Sequence, residues 1–394
     1  MRTVEQHARI IADLLRPTPV ESTPLAQARG LVLDADLRAP LDLPPFANSA
    51  MDGYAVRAAD LTAFPVTLPV SQDIPAGRTD VAPLTPGTAA RIMTGAPLPP
   101  GADVIVQVER TDGGAERVRI DSAPAPGTHI RGIGEDVRHG DVVLAAGTVI
   151  GAPQIGVAAA LGHSHLPVRR PLRALVLSTG TELVAPGHPL QPGQIYESNA
   201  PMLAAALAAI GAVPTIEHFV ADDVIALRAG LDRASAGQDL IITSGGVSAG
   251  AYEVVKDALT GQGIEFAKVA MQPGMPQGAG RYRDVAMVTL PGNPVSSYVS
   301  FEVFLRPAIR AAMGHPDITR PTVSAPLSAP LDSPAGKRQF RRGQLDTVNG
   351  TVAAWGGPGS HLLAWLAGAD CMLVIPEDVT HLDAGDQVEV WLLG

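Results

Sequence analysis

The sequence contains little of several residue types that define common protein classes. Its 394 residues include one cysteine, Cys371, so no disulfide can form within the chain and a zinc site built on cysteines is excluded. Cys371 lies in an apolar run, CMLVIP, which predicts a buried strand residue. No stretch approaches the ~20 apolar residues that cross a bilayer, and the first residues lack the apolar segment of a signal peptide. These absences predict a cytoplasmic protein.

Positive charge and aromatic side chains are also scarce. The net charge of −10 argues against non-specific binding to nucleic acid, which requires a basic surface. Only three lysines occur, Lys256, Lys268 and Lys337, so a bound anion must be held locally. Aromatic residues make up 4% of the chain, whereas 41 glycines and 36 prolines indicate a globular protein with many tight turns. This length favours two to four domains.

The hydrophobic pattern changes along the chain. An amphipathic helix is predicted at the N-terminus, with Val4, Ala8 and Ile11 on one side. Short strands separated by Pro, Gly and Asp turns are predicted from about 41 to 149 and again from about 316. From residue 172 strands alternate with helices, which is typical of a mostly parallel sheet covered on both faces. The helices predicted in this α/β segment are 199–210, 222–234, 251–259 and a long one that runs through 304–313.

Three polar turns, LSTGTEL, TSGGVS and LPGNPVS, follow predicted strands at their carboxyl ends, where such sheets bind ligands. In TSGGVS, Gly245 and Gly246 allow the backbone to approach an anion, and Ser244 and Ser248 add hydroxyls. Tight geometry alone also explains a Gly-Gly turn. Likewise, Glu182 in the first turn is also explained as a charge at a helix N-terminus. Together the three turns predict a pocket.

The third turn and the last segment add further candidates. Pro291 and Pro294 on either side of Asn293 predict a rigid loop that exposes the asparagine, although turn chemistry alone is an alternative. In the C-terminal segment, the arginines of FRRG, which include Arg342, and the hydroxyl of Ser360 in GSH suit phosphate or another oxyanion.

Three loops of the first β segment carry polar groups. They contain Asp52 in PPFANSAMDGYAV, Thr94 in RIMTGAPLP and Asp136 in GEDV. The pair Asp52-Gly53 is a turn signal that directs the carboxylate outward. Asp136 and Asp141 are equally well explained as turn-forming residues.

Acidic residues are dense around the TSGGVS turn. They are Asp222, Asp223, Glu253 and Asp257, with Lys256 among them. Hard oxygen ligands suit magnesium, which takes few carboxylates and adds substrate phosphates. The histidines show no paired spacing, so a transition-metal site made of protein ligands is not expected.

Seven motifs occur in an order that resembles the MoeA and gephyrin E-domain family of molybdopterin molybdenumtransferases, and the match spans essentially the whole chain. The motifs are PPFANSAMDGYAV, RIMTGAPLP, GEDV, STGTEL, SGGVSAG, LPGNPVS and FRRG. The resemblance implies an elongated homodimer with four domains per chain. These are a discontinuous helical and linker domain over 1–40 and 143–171, a β domain over 41–142, an α/β molybdopterin-binding domain over 172–315 and a C-terminal β-barrel over 316–394.

The resemblance also implies an activity. Members of the family hydrolyse the phosphoanhydride of adenylylated molybdopterin, insert molybdate into its dithiolene and release AMP, with magnesium as a helper. The expected partners are adenylylated molybdopterin, molybdate, a second copy of the chain and the molybdopterin adenylyltransferase, whose fold the α/β unit shares. Neither nucleic acid nor a membrane is expected.

The roles that the resemblance implies fall into three groups. The catalytic residues are Asp52, Thr94, Asp136 and Glu182. The metal ligands are Glu182, Asp222 and Asp223. The substrate-binding residues are Ser244, Gly245, Gly246, Ser248, Glu253, Lys256, Pro291, Asn293, Pro294, Arg342 and Ser360. In this family loops of one subunit complete the pocket of the other, so the site is expected to span a dimer interface.

The chain departs from the family pattern at a few positions. Glu253 stands where better-known members have an aspartate, and Gln272 and Met275 stand where lysines are common. The lost cations leave three explanations open: weaker oxyanion affinity, compensation by Arg281 or Arg283, or a paralogue with altered function. A non-catalytic scaffold that holds molybdopterin and a tungsten-inserting variant therefore remain alternatives. Because a scaffold has no need for Asp52 and Glu182 together, the enzyme is favoured.

Overall fold

A computed structural model describes residues 1–180, 182–219, 224–245 and 258–393. The chain divides into two compact units. The larger unit contains Met1–Thr23, Ala28–Asp34 and Pro167–Gly394, and the smaller unit contains Pro24–Gln27 and Ala35–Leu166. The finer division into four domains stays a prediction.

Seven α-helices lie within the described ranges. They are α1 (Val4–Leu14), α2 (Ala152–Ala160), α3 (Asn199–Ala209), α4 (Val224–Ala234), α5 (Pro294–Ser300), α6 (Arg306–Ala312) and α7 (Leu363–Ala367). Three 3₁₀ turns are formed by Leu25–Gln27, Ala58–Asp60 and Val108–Arg110. Of the predicted helices, the one over 251–259 falls mostly outside the described residues, and α4 is described from Val224 onward.

The strands are numbered in chain order. The first twelve are β1 (Val20–Pro24), β2 (Val32–Leu33), β3 (Leu37–Arg38), β4 (Asn48–Ser49), β5 (Gly53–Val56), β6 (Val66–Ile74), β7 (Ala89–Ile92), β8 (Val104–Gln107), β9 (Arg117–Ile120), β10 (Ile130–Arg131), β11 (Val142–Leu144) and β12 (His165–Arg169). The next nine are β13 (Arg173–Thr179), β14 (Leu183–Val184), β15 (Ile195–Tyr196), β16 (Val213–Phe219), β17 (Leu240–Ser244), β18 (Ile264–Lys268), β19 (Met271–Gln272), β20 (Pro276–Tyr282) and β21 (Val285–Leu290). The last seven are β22 (Thr322–Pro326), β23 (Leu331–Asp332), β24 (Arg338–Asp346), β25 (Thr351–Ala354), β26 (Cys371–Ile375), β27 (His381–Leu382) and β28 (Gln387–Leu392).

Helix α1 is specified by its own sequence. Thr3 caps it, because the Thr3 hydroxyl accepts from the Gln6 N–H and the Gln6 side chain accepts from the Thr3 N–H. Val4, His7 and Ile11 are buried, at the spacing of one helix face. The amphipathic N-terminal helix predicted from the sequence is therefore present.

The centre of the larger unit is a six-stranded sheet in the order β16-β13-β17-β21-β20-β18. The first four strands are parallel, whereas β20 and β18 are antiparallel to their neighbours. Strand β13 carries four consecutive apolar residues, 174–177, because both faces are covered: Val176 packs into the core with α3, and Leu177 packs into the core with α4. The mixed α/β organisation predicted from the alternating pattern is thus observed.

The antiparallel edge carries few strand signals in its sequence. Strand β20 reads PQGAGRY, and a Cβ built on Gly278 would lie 2.2 Å from Thr289 Oγ1 on β21. Only glycine permits this close approach of the two strands. The same glycines remove the alternation of apolar and polar residues by which strands are identified.

The helix predicted through residue 304 is interrupted. A π-helical segment, Phe301–Leu305, joins α5 to α6, and all five of its residues are buried. Pro307 in the first turn of α6 has no N–H to donate, which disfavours a regular α-helical hydrogen-bond pattern across this junction.

The C-terminal part of the larger unit is a second sheet. Its order is β19-β24-β26-β28-β22, with β25 also paired to β24. Cys371 on β26 is fully buried in the core of this sheet, as its apolar run predicts. Closure of the sheet into a barrel stays a prediction.

The smaller unit is built on a five-stranded sheet in the order β8-β5-β7-β6-β9. Its residues alternate between two cores: Tyr54 and Val56 of β5 belong to one, whereas Ala55 belongs to the other. This agrees with the strands predicted from the short apolar runs. Within the described residues of the whole chain, none of the helices has both the length and the apolar character needed to cross a membrane.

Candidate functional site

The three polar turns of the α/β segment meet at one edge of the central sheet. Strands β13, β17 and β21 are parallel neighbours, so their carboxyl ends lie side by side. A cavity of about 810 Å³ opens at this edge. The predicted site residues that line it are Glu182, Ser244, Gly245, Pro291, Asn293, Pro294 and Ser360. Gln272 and Met275 line it as well.

Asn199 holds two walls of the cavity together. Its Nδ2 donates to Ser244 Oγ at 2.6 Å and to the Gly292 carbonyl at 2.7 Å. It therefore connects the start of α3, the end of β17 and the loop after β21. These contacts lie 45 and 93 residues away in the chain, so no local pattern in the sequence predicts them.

The loop after β21 is joined to the C-terminal sheet region. Asn293 Nδ2 donates to Ser360 Oγ at 2.9 Å, and the Val295 N–H donates to the Ser360 carbonyl at 3.1 Å. The Gly245 N–H donates to the Leu290 carbonyl at 3.1 Å, so this N–H is already occupied. The hydroxyls of Ser244 and Ser360 accept these asparagine donors and keep their own protons for a ligand.

Arg342 lies behind the cavity rather than in its wall. It is 5% exposed, and its guanidinium donates to the carbonyls of Gly357 and Gly359, the latter at 3.2 Å. Burial lowers the pKa of Arg342. The arginine thus holds the loop that presents Ser360, and direct contact between Arg342 and a ligand stays a prediction.

The charges around the cavity differ from the expected pattern. Glu182 and Glu197 line it, and Lys337 is the only lysine or arginine among its described lining residues. Arg281 donates to the carbonyls of Asp284 and Leu14 and lines a different cavity. Arg283 pairs with Asp232 at 2.7 Å. Neither arginine replaces the missing cations at positions 272 and 275.

The smaller unit brings the predicted Asp52 and Thr94 loops together. The Ser49 N–H donates to the Ala96 carbonyl, and the Ala50 N–H donates to the His129 carbonyl, so the loops around 50, 95 and 130 are joined by backbone hydrogen bonds. Asp52 Oδ1 accepts from the Thr94 N–H at 2.7 Å and from the Thr94 hydroxyl at 2.9 Å.

These hydrogen bonds favour the ionised form of the Asp52 carboxylate. The Thr94 N–H contributes most to lowering the pKa of Asp52, followed by the Thr94 hydroxyl. Asp136 is exposed, and its N–H donates to the Leu43 carbonyl at 3.0 Å. The Asp141 carboxylate accepts from the Arg138 N–H at 2.9 Å, which is the turn-forming alternative considered for it.

Several predicted site residues lie outside the described residues. They are Asp222, Asp223, Gly246, Ser248, Glu253 and Lys256. Within the part of the chain that is described, no group of three or more His, Cys, Asp or Glu side chains is arranged to hold a metal ion. The residues that sequence reasoning missed at the cavity are chiefly Asn199, Lys337 and Glu197.

Comparison with known proteins covers the chain from end to end. Three family descriptions match: the MoeA N-terminal region (domain I and II) at 2–162, a probable molybdopterin binding domain at 175–311 and the MoeA C-terminal region (domain IV) at 324–393. Molybdopterin molybdenumtransferase 2 of Mycobacterium tuberculosis is 56% identical over 402 residues, which cover 99% of each chain. Molybdopterin molybdenumtransferase of Haemophilus influenzae is 34% identical over 400 residues, which cover 99% of this chain and 98% of that protein.

A solved structure supports the same family as the sequence relatives. The molybdopterin biosynthesis moea protein of Pyrococcus horikosii has a TM-score of 0.84 at 30% identity, covering 100% of this chain and 99% of that one. The fold is thus that of a mixed α/β protein of molybdenum cofactor biosynthesis. With 56% identity along its length to one relative, the chain belongs to the MoeA family of molybdopterin molybdenumtransferases. This confirms the family resemblance drawn from the seven motifs.

Proposed function

We propose that the chain inserts molybdenum into adenylylated molybdopterin and releases AMP. The observation that carries this proposal is the cavity of about 810 Å³ in which the loops after β13, β17 and β21 converge with the Ser360 loop. A volume of this size suits a ligand that combines a pterin with a nucleotide. The chain is expected to work in the cytoplasm, after the molybdopterin adenylyltransferase that supplies its substrate.

The lining residues have distinct tasks in this proposal. The hydroxyls of Ser244 and Ser360 donate to phosphate or molybdate oxygens, since each accepts one asparagine N–H and so directs its own proton elsewhere. Pro291 and Pro294 keep the intervening loop rigid, so that the hydroxyls are aligned before the ligand arrives. Glu182 lies at the cavity as the group that orients the attacking water.

The Glu182 carboxylate also fits a magnesium site. It is exposed, and it lies against the backbone of Gly180, where a built Cβ would come within 2.5 Å of one of its oxygens. No ion pair engages Glu182 within the described ranges, so no described cation competes with Mg²⁺ for this carboxylate. Bound Mg²⁺ would neutralise charge on the phosphoanhydride oxygens and would keep several waters. Asp222 and Asp223 are the proposed further ligands.

We further propose that the active protein is a homodimer in which both copies contribute to each site, Asp52 from one and Glu182 from the other. Mixing Asp52→Ala and Glu182→Ala subunits would test this. Random assortment restores one intact site in half of the dimers, so about a quarter of wild-type activity should return. Mixed subunits that stay as inactive as either variant alone would contradict the shared site.

The alternative is a scaffold that holds molybdopterin without turning it over. The neutral residues Gln272 and Met275 in the cavity wall favour this alternative, because both lack the charge to hold an anion. A tungsten-inserting enzyme is a closer variant, and parallel assays with tungstate and molybdate distinguish the two substrates.

The experiment that separates these functions measures AMP. Purified protein is mixed with adenylylated molybdopterin, molybdate and magnesium. Wild-type protein should release AMP, and the rate should fall at least about 100-fold in Glu182→Ala and in Asp52→Ala. Undiminished AMP release by both variants would rule out this assignment of the catalytic carboxylates.

A further inference from the structure

The cavity must hold an anionic ligand, yet it has little positive charge. The whole chain carries a net charge of −10. Two glutamates line the cavity, and Lys337 is the single lysine or arginine among the lining residues that the structure describes. Because like charges disfavour the approach of an anion, this ammonium group is the main attraction that the described part of the cavity wall offers to an anion.

The backbone on both sides of Lys337 is firmly held. The Gly336 N–H donates to the Glu377 carbonyl at 2.8 Å, and the Arg338 N–H donates to the Ala270 carbonyl at 3.0 Å. Strand β24, which begins at Arg338, pairs in parallel with β19 in the register Gln272 to Gln339. Lys337 is therefore fixed beside the 271–276 segment that forms one wall of the cavity.

The neighbouring cations are already engaged. Arg338 forms two hydrogen bonds to the Glu377 carboxylate at 3.1 and 3.2 Å and a second ion pair to Glu5. Arg342 donates to the backbone of the loop at 357–359. In contrast, Lys337 makes no ion pair with any described residue, so its ammonium remains available to a ligand.

The structure assigns Lys337 as the residue that binds the anionic oxygens of the substrate in this cavity. The class of ligand is a tetrahedral oxyanion, either a phosphate of adenylylated molybdopterin or molybdate. A long flexible stem and three donors allow lysine to follow such an anion. The inference rests on the proposed function, because that function supplies the anionic ligand.

Calorimetric titration tests the assignment independently of turnover. Adenylylated molybdopterin without molybdate is titrated into wild-type protein and Lys337→Met, and a second arm titrates molybdate alone. The loss of a hydrogen-bonded charge should weaken binding about 10- to 100-fold in the arm whose oxyanion Lys337 contacts. Lys268→Met is the matched control, because Lys268 is exposed and lies outside the cavity lining.

Two further variants show whether weaker binding comes from the lost charge or from a change in the structure. Lys337→Arg should bind close to the wild-type affinity, since it keeps the charge. Met275 lines the same cavity, so adding Met275→Lys to Lys337→Met should recover part of the lost affinity. Unchanged affinity of Lys337→Met in both arms would overturn the assignment. So would equal losses in Lys337→Arg and Lys337→Met.

The two proposals fail in different ways. If the wild type binds the ligand through Lys337 but releases no AMP, the assignment of Lys337 stands and the catalytic function fails. If AMP is released at wild-type rates and affinities by Lys337→Met, the catalytic function stands and the assignment fails.

Discussion

The buried histidine of α1 links the acid stability of the larger unit to a single side chain. His7 is fully buried and packs edge-on against Phe304, with ring centroids 4.9 Å apart. Neither ring nitrogen has a hydrogen-bond partner among the described residues. Desolvation lowers the pKa of His7 from 6.5 to about 4, and the charge of Arg2 acts in the same direction. The folded protein therefore keeps this ring neutral where an unfolded chain protonates it.

The sign and size of the effect follow from proton linkage. Below a pH of 6.5 the unfolded state takes up a proton that the folded state does not accept until about pH 4, so folding stability falls as the pH decreases through this window. The pKa difference lowers the free energy of unfolding by about 3 kcal/mol once both states are protonated, and by about 2 kcal/mol at about pH 5. His7→Leu keeps the packing and removes the titration. The free energy of unfolding of this variant, relative to wild type, should therefore increase by about 2 kcal/mol between about pH 7.5 and about pH 5.

Urea unfolding followed by tryptophan fluorescence measures this difference. All three tryptophans, at 355, 365 and 391, lie in the same unit as His7. His188→Leu in that unit is the control, because the His188 side chain is exposed and solvated in both states. A free-energy difference between His7→Leu and wild type that does not change with pH would refute the reasoning.

Three further outcomes are expected. Asn199→Ala removes both hydrogen bonds that hold the cavity, so it should lower the free energy of unfolding by about 1–3 kcal/mol and weaken ligand binding in calorimetry; wild-type values for both would contradict the role of Asn199. Arg342→Met should raise the KM for adenylylated molybdopterin about 10-fold, because the loop at 357–359 loses its charged donor. An unchanged KM in steady-state assays would show that the loop keeps its conformation without Arg342. Burial raises the pKa of the Cys371 thiol, so the folded protein should not react with a chromogenic disulfide, and rapid colour development in the absence of denaturant would contradict its burial.

Much of the central fold could be predicted because its signals are local. The capping box at Thr3 and the continuous apolar run of β13 each require only a few adjacent residues. The antiparallel strands β18 and β20 could not be predicted in the same way. Their close pairing depends on glycines such as Gly278, and a glycine in a strand looks like a turn in the sequence.

The same distinction between local and long-range signals applies to the candidate site. The turns that end in Ser244 and that contain Asn293 could be predicted, since the carboxyl ends of parallel strands meet at one edge. Lys337 lines the same cavity but lies more than 40 residues beyond Asn293 in the chain, and only the pairing of β24 with β19 brings it there. Arg342 was predicted as a ligand-binding residue because arginine suits oxyanions; two of its nitrogens donate to backbone carbonyls, and its contact with a ligand stays a prediction.

The central claim is that the cavity at the carboxyl edge of the sheet turns over adenylylated molybdopterin with the help of Glu182. The most direct measurement is a single-turnover assay of AMP in the presence of magnesium, with and without molybdate, for wild-type protein and for Glu182→Gln. We expect rapid AMP release by the wild type when molybdate is present and a loss of that release in Glu182→Gln, with ligand binding retained. Tight binding of adenylylated molybdopterin by the wild type with no AMP formed under any of these conditions would contradict the claim and would instead indicate a scaffold.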